Sequence, residues 1–181
     1  MRRLLSLIVV ICIAFLLVGC SKTKEFQHCE IILNLPADFE SVSGEEPFVV
    51  TDALGAEVKF TTSNGNQVDL ALCDGNSAVT LVRISAEAAA GEGIFPALSQ
   101  LEFAKFYIEN ILKLDTQCQL ISDIPYCTYE KRSNGTEFSF LLAFYRSPDA
   151  YFVLTFITTA DRFEAMMPTL TEYIRAVRFG E

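Results

Sequence analysis

Two stretches of the sequence decide the fold: FSFLLAFY, from Phe138 to Tyr145, and YFVLTFI, from Tyr151 to Ile157. Ser147-Pro148-Asp149 supplies a turn between them. An antiparallel strand with one face in water alternates apolar and polar residues, whereas these two stretches are apolar on both sides of the pleat. The sequence therefore predicts a hairpin inside a sheet that is covered on both faces.

Shorter strand signals surround this hairpin on both sides. Turn pairs that accept a positive φ separate several of them, namely Asn64-Gly65, Asp74-Gly75 and Asn134-Gly135. Because such turns join antiparallel neighbours, we expect the first half of the domain to be an antiparallel meander. The remaining strands are predicted at residues 29–35, 58–60, 68–72, 78–84, 120–124 and 126–131.

Two segments change to a helical period. Residues 98–114 are predicted to form a helix because Ser99 and Glu102 make a capping-box pattern. Its inward stripe would be Leu101, Ala104, Ile108 and Ile111. Asp161 and Glu164 open a second helix that runs to about residue 177, and Pro168 should kink it or mark its true start. Residues 86–96 are predicted to be a loop. The expected class is α+β, a central antiparallel sheet flanked by helices.

The N-terminal segment resembles the signal of a bacterial lipoprotein. Arg2 and Arg3 precede an apolar run that ends at Leu17-Val18-Gly19-Cys20, which is similar to a lipobox. The resemblance implies a signal peptide at residues 1–19, a diacylated Cys20 with a polar tether over residues 20–28, and one domain at 29–181. It places the domain on the extracytoplasmic face of a bacterial cell membrane. The alternative is a single transmembrane anchor with an incidental cysteine.

Charge limits the classes of partner. The full sequence carries a formal net charge of −9 and has no arginine- or lysine-rich stripe. An acidic domain is repelled by nucleic acid, and we therefore expect no nucleic-acid partner.

Four cysteines lie in the predicted domain: Cys29, Cys73, Cys118 and Cys127. An even number outside the cytoplasm permits disulfides, with three possible pairings. Cys118 with Cys127 is locally plausible because Pro125 lies in a turn between them, which would leave Cys29 with Cys73. The alternative is that some of the four are small buried hydrophobic residues. No CxxC motif is present, so thiol redox catalysis and a cysteine zinc site are not expected.

The sequence offers no catalytic, cofactor or metal site. The sole histidine, His28, falls in the predicted tether, which removes Ser-His-Asp and Cys-His catalysis from the domain. Asp69, Asp74 and Asn76 lack the further oxygens of a calcium loop, and Asp74-Gly75-Asn76 is better explained as a hairpin turn. No cofactor is expected.

The domain resembles the PsbP-like family. The resemblance rests on Leu35-Pro36-Ala37-Asp38-Phe39, on Tyr151-Phe152-Val153-Leu154-Thr155, on Phe163, and on Val177-Arg178-Phe179 after the last helix. It implies a PsbP-like α/β/α sandwich and a role as a binding or assembly module. It carries over no site residue.

These observations lead to one function hypothesis and one alternative. The first is a non-enzymatic, membrane-anchored lipoprotein that binds another envelope protein or helps a complex to assemble. The alternative is a carrier or sensor of a small apolar ligand or a metal ion, suggested by fifteen phenylalanines and by the acidity of the chain.

Overall fold

The computed structural model describes residues 23–42, 48–51, 57–60, 69–91, 93 and 97–180. Cys20, the expected signal peptide and the Asn64-Gly65 turn lie outside these residues. The described strands are β1 (Thr23–His28), β2 (Ile31–Pro36), β3 (Glu40–Val42), β4 (Phe48–Thr51), β5 (Glu57–Phe60), β6 (Leu70–Cys73), β7 (Ser77–Ser85), β8 (Gln119–Ile121), β9 (Ile124–Ser133), β10 (Thr136–Arg146), β11 (Ala150–Thr159) and β12 (Arg178–Phe179).

The helices of the described residues are α1 (Ala86–Gly91), α2 (Gln100–Phe106) and α3 (Ala160–Ala176), and a π-helical turn, Tyr107–Ile111, directly extends α2. The loop predicted for residues 86–96 is thus wrong at its start, where alanine-rich α1 forms. Ser85 assists this helix, because its hydroxyl accepts the Ala88 N–H at 3.2 Å. Pro168 lies inside α3, which begins at Ala160 as one continuous helix.

A seven-stranded antiparallel sheet forms the centre, in the order β3-β6-β7-β11-β10-β9-β8. The predicted hairpin is β10–β11, in register with Leu142 opposite Thr155. Its other neighbour is β7, with Leu81 opposite Leu154. The first half is therefore not the simple meander that was expected, because β7 pairs with a strand from the second half of the chain.

The hairpin is covered on both faces, as predicted. Leu141 and Leu154 face one core cluster together with Leu170 and Ile174 of α3. Leu142 and Val153, their neighbours in the sequence, face a second cluster that contains Phe103 and Ile108 from the α2 segment. We call these sides of the sheet the α3 face and the α2 face. The α+β class with a central antiparallel sheet flanked by helices is confirmed.

The predicted tether is not a tether over most of its length. Thr23–His28 forms β1, which pairs with β2 from Thr23 opposite Pro36 to His28 opposite Ile31. Phe26 is buried in the core of the α3 face, and this burial holds the strand on the domain. The described domain therefore already includes residue 23, rather than starting at residue 29. Cys29 is exposed in the turn that follows, at a φ of 51°.

Candidate functional site

A cavity of about 100 Å³ lies on the α3 face, between the sheet and α3. Its wall is mostly apolar, with three aromatic rings and a thioether, and its polar residues are Asp74, Ser77, Thr158 and, through its hydroxyl, Tyr173. The lining residues are Pro36, Phe39, Asp74, Ser77, Phe156, Ile157, Thr158, Met166, Leu170 and Tyr173. Such a space suits a small, mostly apolar molecule with one polar end.

Asp74 is the only carboxylate in the described lining of this cavity. Its Oδ1 accepts the N–H groups of Asn76 and Ser77 at 2.8 and 2.6 Å, which closes the turn that the sequence predicted. Burial raises the pKa of Asp74 above its usual value, and the nearby Asp38 carboxylate adds to the rise. These hydrogen bonds support the assignment of Asp74-Gly75-Asn76 as a turn, in preference to a calcium loop.

No pattern in the sequence predicts this cavity. Its residues come from β2, the loop that follows it, the turn between β6 and β7, β7, β11 and α3, and they meet only through the fold. The local signals were weak. Met166 and Tyr173 lie on the inward side of α3, away from solvent, and apolar residues at this spacing are also the pattern of an ordinary core helix.

On the other face, α2 is fixed to the hairpin by a stack of aromatic side chains. The Phe103 and Tyr151 rings are parallel with centroids 4.0 Å apart, and Phe144 meets Phe103 edge-on at 6.2 Å. The Tyr151 hydroxyl donates to the Leu98 carbonyl at 2.6 Å. The predicted capping box starts the helix, with Ser99 and Glu102 bonded to each other's backbone N–H.

The π-helical turn rotates the end of this segment relative to the predicted stripe. Leu112 donates its N–H to Tyr107, five residues back, and this inserts one extra residue into the turn. Ala104 and Ile108 are buried as predicted, but the prediction is wrong for Leu101, which is exposed, and for Ile111, whose inward place is taken by Leu112. Ile111 is consequently 50% exposed.

Exposed apolar side chains concentrate on this segment. Among the described residues, the exposed large hydrophobic side chains are Leu101 at 37%, Ile111 at 50%, Leu120 at 56% and Phe179 at 43%. Three of these four belong to residues 101–120, the α2 segment and the edge strand β8. We call Leu101, Ile111 and Leu120 the α2–β8 surface.

The four cysteines are free thiols in the structure. Cys73 donates to the Val49 carbonyl at 3.1 Å, and Cys29 is exposed. Cys127 is buried, and Cys118 packs against the same core cluster. Cys118 and Cys127 therefore lie on the same face of the sheet.

The remaining candidate residues form no further site. His28 is the last residue of β1, opposite Ile31, rather than part of a solvated tether. Asp69 accepts the Arg83 N–H through Oδ2 at 2.5 Å. No group of three His, Cys, Asp or Glu side chains that could hold a metal ion occurs among the described residues. Within those residues, too, no helix is long and apolar enough to cross a membrane.

No family model matches the sequence, and no curated protein matches it. Solved structures do resemble it. Cyanobacterial PsbP from Synechocystis is 9% identical with a TM-score of 0.49, and the match covers 90% of this chain and 95% of that one. LpqN, a protein involved in cell envelope biogenesis of Mycobacterium tuberculosis, is 11% identical with a TM-score of 0.41, covering 88% and 91%.

A third similar structure comes from Bacteroides thetaiotaomicron. It is 13% identical with a TM-score of 0.48, and the match covers 87% of this chain but spans only 48% of that protein. A solved PsbP is thus among the structures that this chain resembles, as the sequence led us to expect.

Proposed function

We propose that this chain is a lipid-anchored protein of the extracytoplasmic membrane face, and that it acts without catalysis by binding another envelope protein through its α2–β8 surface. The observation that carries the proposal is the concentration of exposed apolar side chains at Leu101, Ile111 and Leu120. Single exposed apolar residues are ordinary, whereas a contiguous apolar patch is typical of an interaction surface, and we infer that these three side chains contribute to one such patch. The acidity of the chain disfavours nucleic acid as the partner.

The position of β1 limits where such a partner would be. Cys20 precedes the first residue of β1, Thr23, by three residues, and an extended chain spans at most about 10 Å over that distance. An acylated Cys20 would therefore hold the domain against the membrane surface. A partner of this domain would be another membrane-associated protein, or a domain held equally close to the membrane.

The anchor is tested by the substitution Cys20→Ser. A diacylated cysteine contributes about 0.8 kcal/mol per buried methylene, enough with two chains to keep the protein on the membrane. We expect wild type in the membrane fraction with an intact mass that includes acyl chains, and the variant unprocessed or released. Cys29→Ser is the control. If the wild-type mass includes no acyl chains and Cys20→Ser fractionates as wild type does, the anchor is refuted.

The partner is tested by crosslinking in intact cells followed by purification. Leu120→Glu places a charge in the α2–β8 surface without disturbing a buried side chain. We expect the same envelope protein to be recovered with wild type in each experiment, and its recovery with Leu120→Glu to be lower by at least about tenfold. Thr169→Glu, on the exposed side of α3, should retain it. Equal recovery from both variants would remove the α2–β8 surface from the proposal.

A second candidate function is favoured by the cavity on the α3 face. A carrier or sensor would hold a small, mostly apolar molecule between α3 and the sheet, with its polar end near Asp74. Native mass spectrometry of protein purified from its own host tests this function. We expect a retained small molecule in wild type and its loss when Met166→Trp fills the cavity, while Ala165→Trp on the exposed side of α3 keeps it. An empty wild-type protein would contradict the carrier function.

A further inference from the structure

The pairing register of β8 and β9, extended by one residue toward the N-terminus of β8, reaches Cys118 and Cys127. Gln119 is opposite Tyr126, and the two following pairs keep the same antiparallel spacing. One residue further back along this register, Cys118 falls opposite Cys127.

The chain still runs beside β9 at that point. The Thr116 hydroxyl donates to the Thr128 carbonyl at 3.0 Å, beyond the two cysteines. Cys118 is therefore bracketed between a paired residue on one side and a hydrogen bond on the other. The Tyr126 N–H also contacts the Cys118 sulfur. Both cysteines lie on the α2 face, where Cys127 belongs to the core cluster and Cys118 packs against it.

Residues directly opposite in an antiparallel pair have Cα atoms about 4.5–5.5 Å apart, within the roughly 4.4–6.8 Å that a disulfide accepts. We propose that Cys118 and Cys127 form a cross-strand disulfide that staples the edge strand β8 to β9, and that this bond closes by exchange with an external disulfide. This inference concerns the fold rather than the partner. It relies on the proposed extracytoplasmic location only for the supply of oxidant inside the host.

The exchange has two steps. The partly exposed Cys118 thiolate attacks one sulfur of a donor disulfide, forming a mixed disulfide and releasing one donor thiol. Cys127 then loses its proton and attacks the Cys118 sulfur, which forms the internal bond and releases the second donor thiol. Two protein thiols are oxidised and one donor disulfide is reduced. Burial raises the pKa of Cys127 to about 12, which fits a resolving rather than an attacking role.

The geometry also argues against the complementary pair, Cys29 with Cys73. Cys29 precedes Glu30, whose carboxylate lies 3.9 Å from the Arg83 guanidinium near the end of β7. Cys73 is opposite Ala78, near the start of β7. Ala78 and Arg83 are about 16 Å apart along the strand, so Cys29 and Cys73 lie toward opposite ends of it. One internal disulfide and two thiols are therefore expected.

Mass spectrometry can distinguish these cysteine pairings, because trypsin cleaves after lysine and arginine and so divides the four cysteines among three peptides. Trypsin releases residues 114–131 as one peptide that contains both Cys118 and Cys127, while Cys29 and Cys73 fall in separate peptides, 25–59 and 60–83. The purified full-length protein is equilibrated with glutathione disulfide and then alkylated under denaturing conditions. We expect peptide 114–131 to be lighter by two hydrogen atoms and unalkylated.

Thermal unfolding gives the second readout. Reduction of the disulfide should lower the Tm of the protein by an amount on the order of 5 °C. The reason is that the reduced unfolded chain no longer carries the short closed loop and gains conformational entropy. Cys118→Ser should have a Tm that reductant does not change, and Cys29→Ser should respond as wild type does. Alkylation of both cysteines after glutathione treatment, or glutathione left on Cys118 alone, would overturn the proposal.

The same peptide from protein alkylated directly in host membranes distinguishes the disulfide from the location. A closed pair there supports both. A pair that is reduced in the host but closes in glutathione supports the pairing and counts against the extracytoplasmic location of the proposed function.

Discussion

The two faces of the central sheet are covered in different ways. The α3 face lies under one 17-residue helix together with the small sheet β1-β2-β12. The α2 face carries a 7-residue helix and a 5-residue π-helical turn beside the β4–β5 hairpin. Long cover on one face encloses a small cavity, and short cover on the other leaves apolar side chains in solvent. The difference separates the two candidate functions: a ligand would bind under α3, and a protein would bind over α2.

The largest effect is expected where the short cover is fixed to the sheet. Phe103→Ala removes the ring that stacks on Tyr151 and should cost about 3–5 kcal/mol in the free energy of unfolding, because Phe103 is fully buried. Leu101→Ala, two residues earlier on the same helix, should cost less than about 1 kcal/mol. Urea unfolding measures both. Equal costs for the two variants would mean that the aromatic stack does not hold α2 in place.

A smaller effect is expected on the opposite face. The buried Tyr145 hydroxyl donates to the Ile174 carbonyl at 3.0 Å, near the end of α3. Tyr145→Phe keeps the ring and removes only this bond, so we expect a loss of about 1–2 kcal/mol. The control is Tyr126→Phe, whose exposed hydroxyl bonds Gln119 and whose loss should cost less than about 0.5 kcal/mol. Unfolding curves in which the two variants coincide would contradict this assignment.

The smallest effect is a dependence on pH at the cavity. The folded state raises the pKa of Asp74, mainly through burial, so it binds the proton more tightly than the unfolded chain does. In the window between the two pKa values, the contribution of Asp74 to stability therefore falls as pH rises. Asp74→Asn keeps an oxygen for the N–H groups of Asn76 and Ser77.

The measurement is the difference in urea midpoint between wild type and Asp74→Asn at about pH 4 and about pH 7. The urea midpoint of wild type should fall relative to that of the variant as pH rises. A difference that stays constant, or that moves in favour of wild type, would show that burial does not oppose ionisation of Asp74.

Much of the fold could be predicted from local pattern. The two-sided apolar hairpin, the capping box at Ser99 and the turns at Asp74-Gly75 and Asn134-Gly135 each have a local physical cause, and each is present. The strand at Thr23–His28 was missed because its composition is polar and only Phe26 is buried. Its partner β2 stabilises it through backbone pairing, which the residues of β1 do not indicate.

The candidate sites were less predictable. The cavity collects residues from β2 to α3, and no window of sequence contains them together. The place of Ile111 in the α2–β8 surface depends on a π-helical turn, which shifts this side chain outward and which no local pattern of residues indicates. Cys118 and Cys127 could be proposed as a pair from their spacing. Only the strand register, however, places these two cysteines opposite each other and so favours this pairing over one that involves Cys29 or Cys73.

We propose that the α2 face, rather than the α3 face, meets a partner at the membrane. The test is a photo-crosslinking amino acid placed at residue 120 in intact cells, with the same probe at residue 169 on the exposed side of α3 as its counterpart. We expect one discrete adduct with an envelope protein from position 120 and none from position 169. An adduct from position 169 alone, or no adduct from position 120, would contradict it.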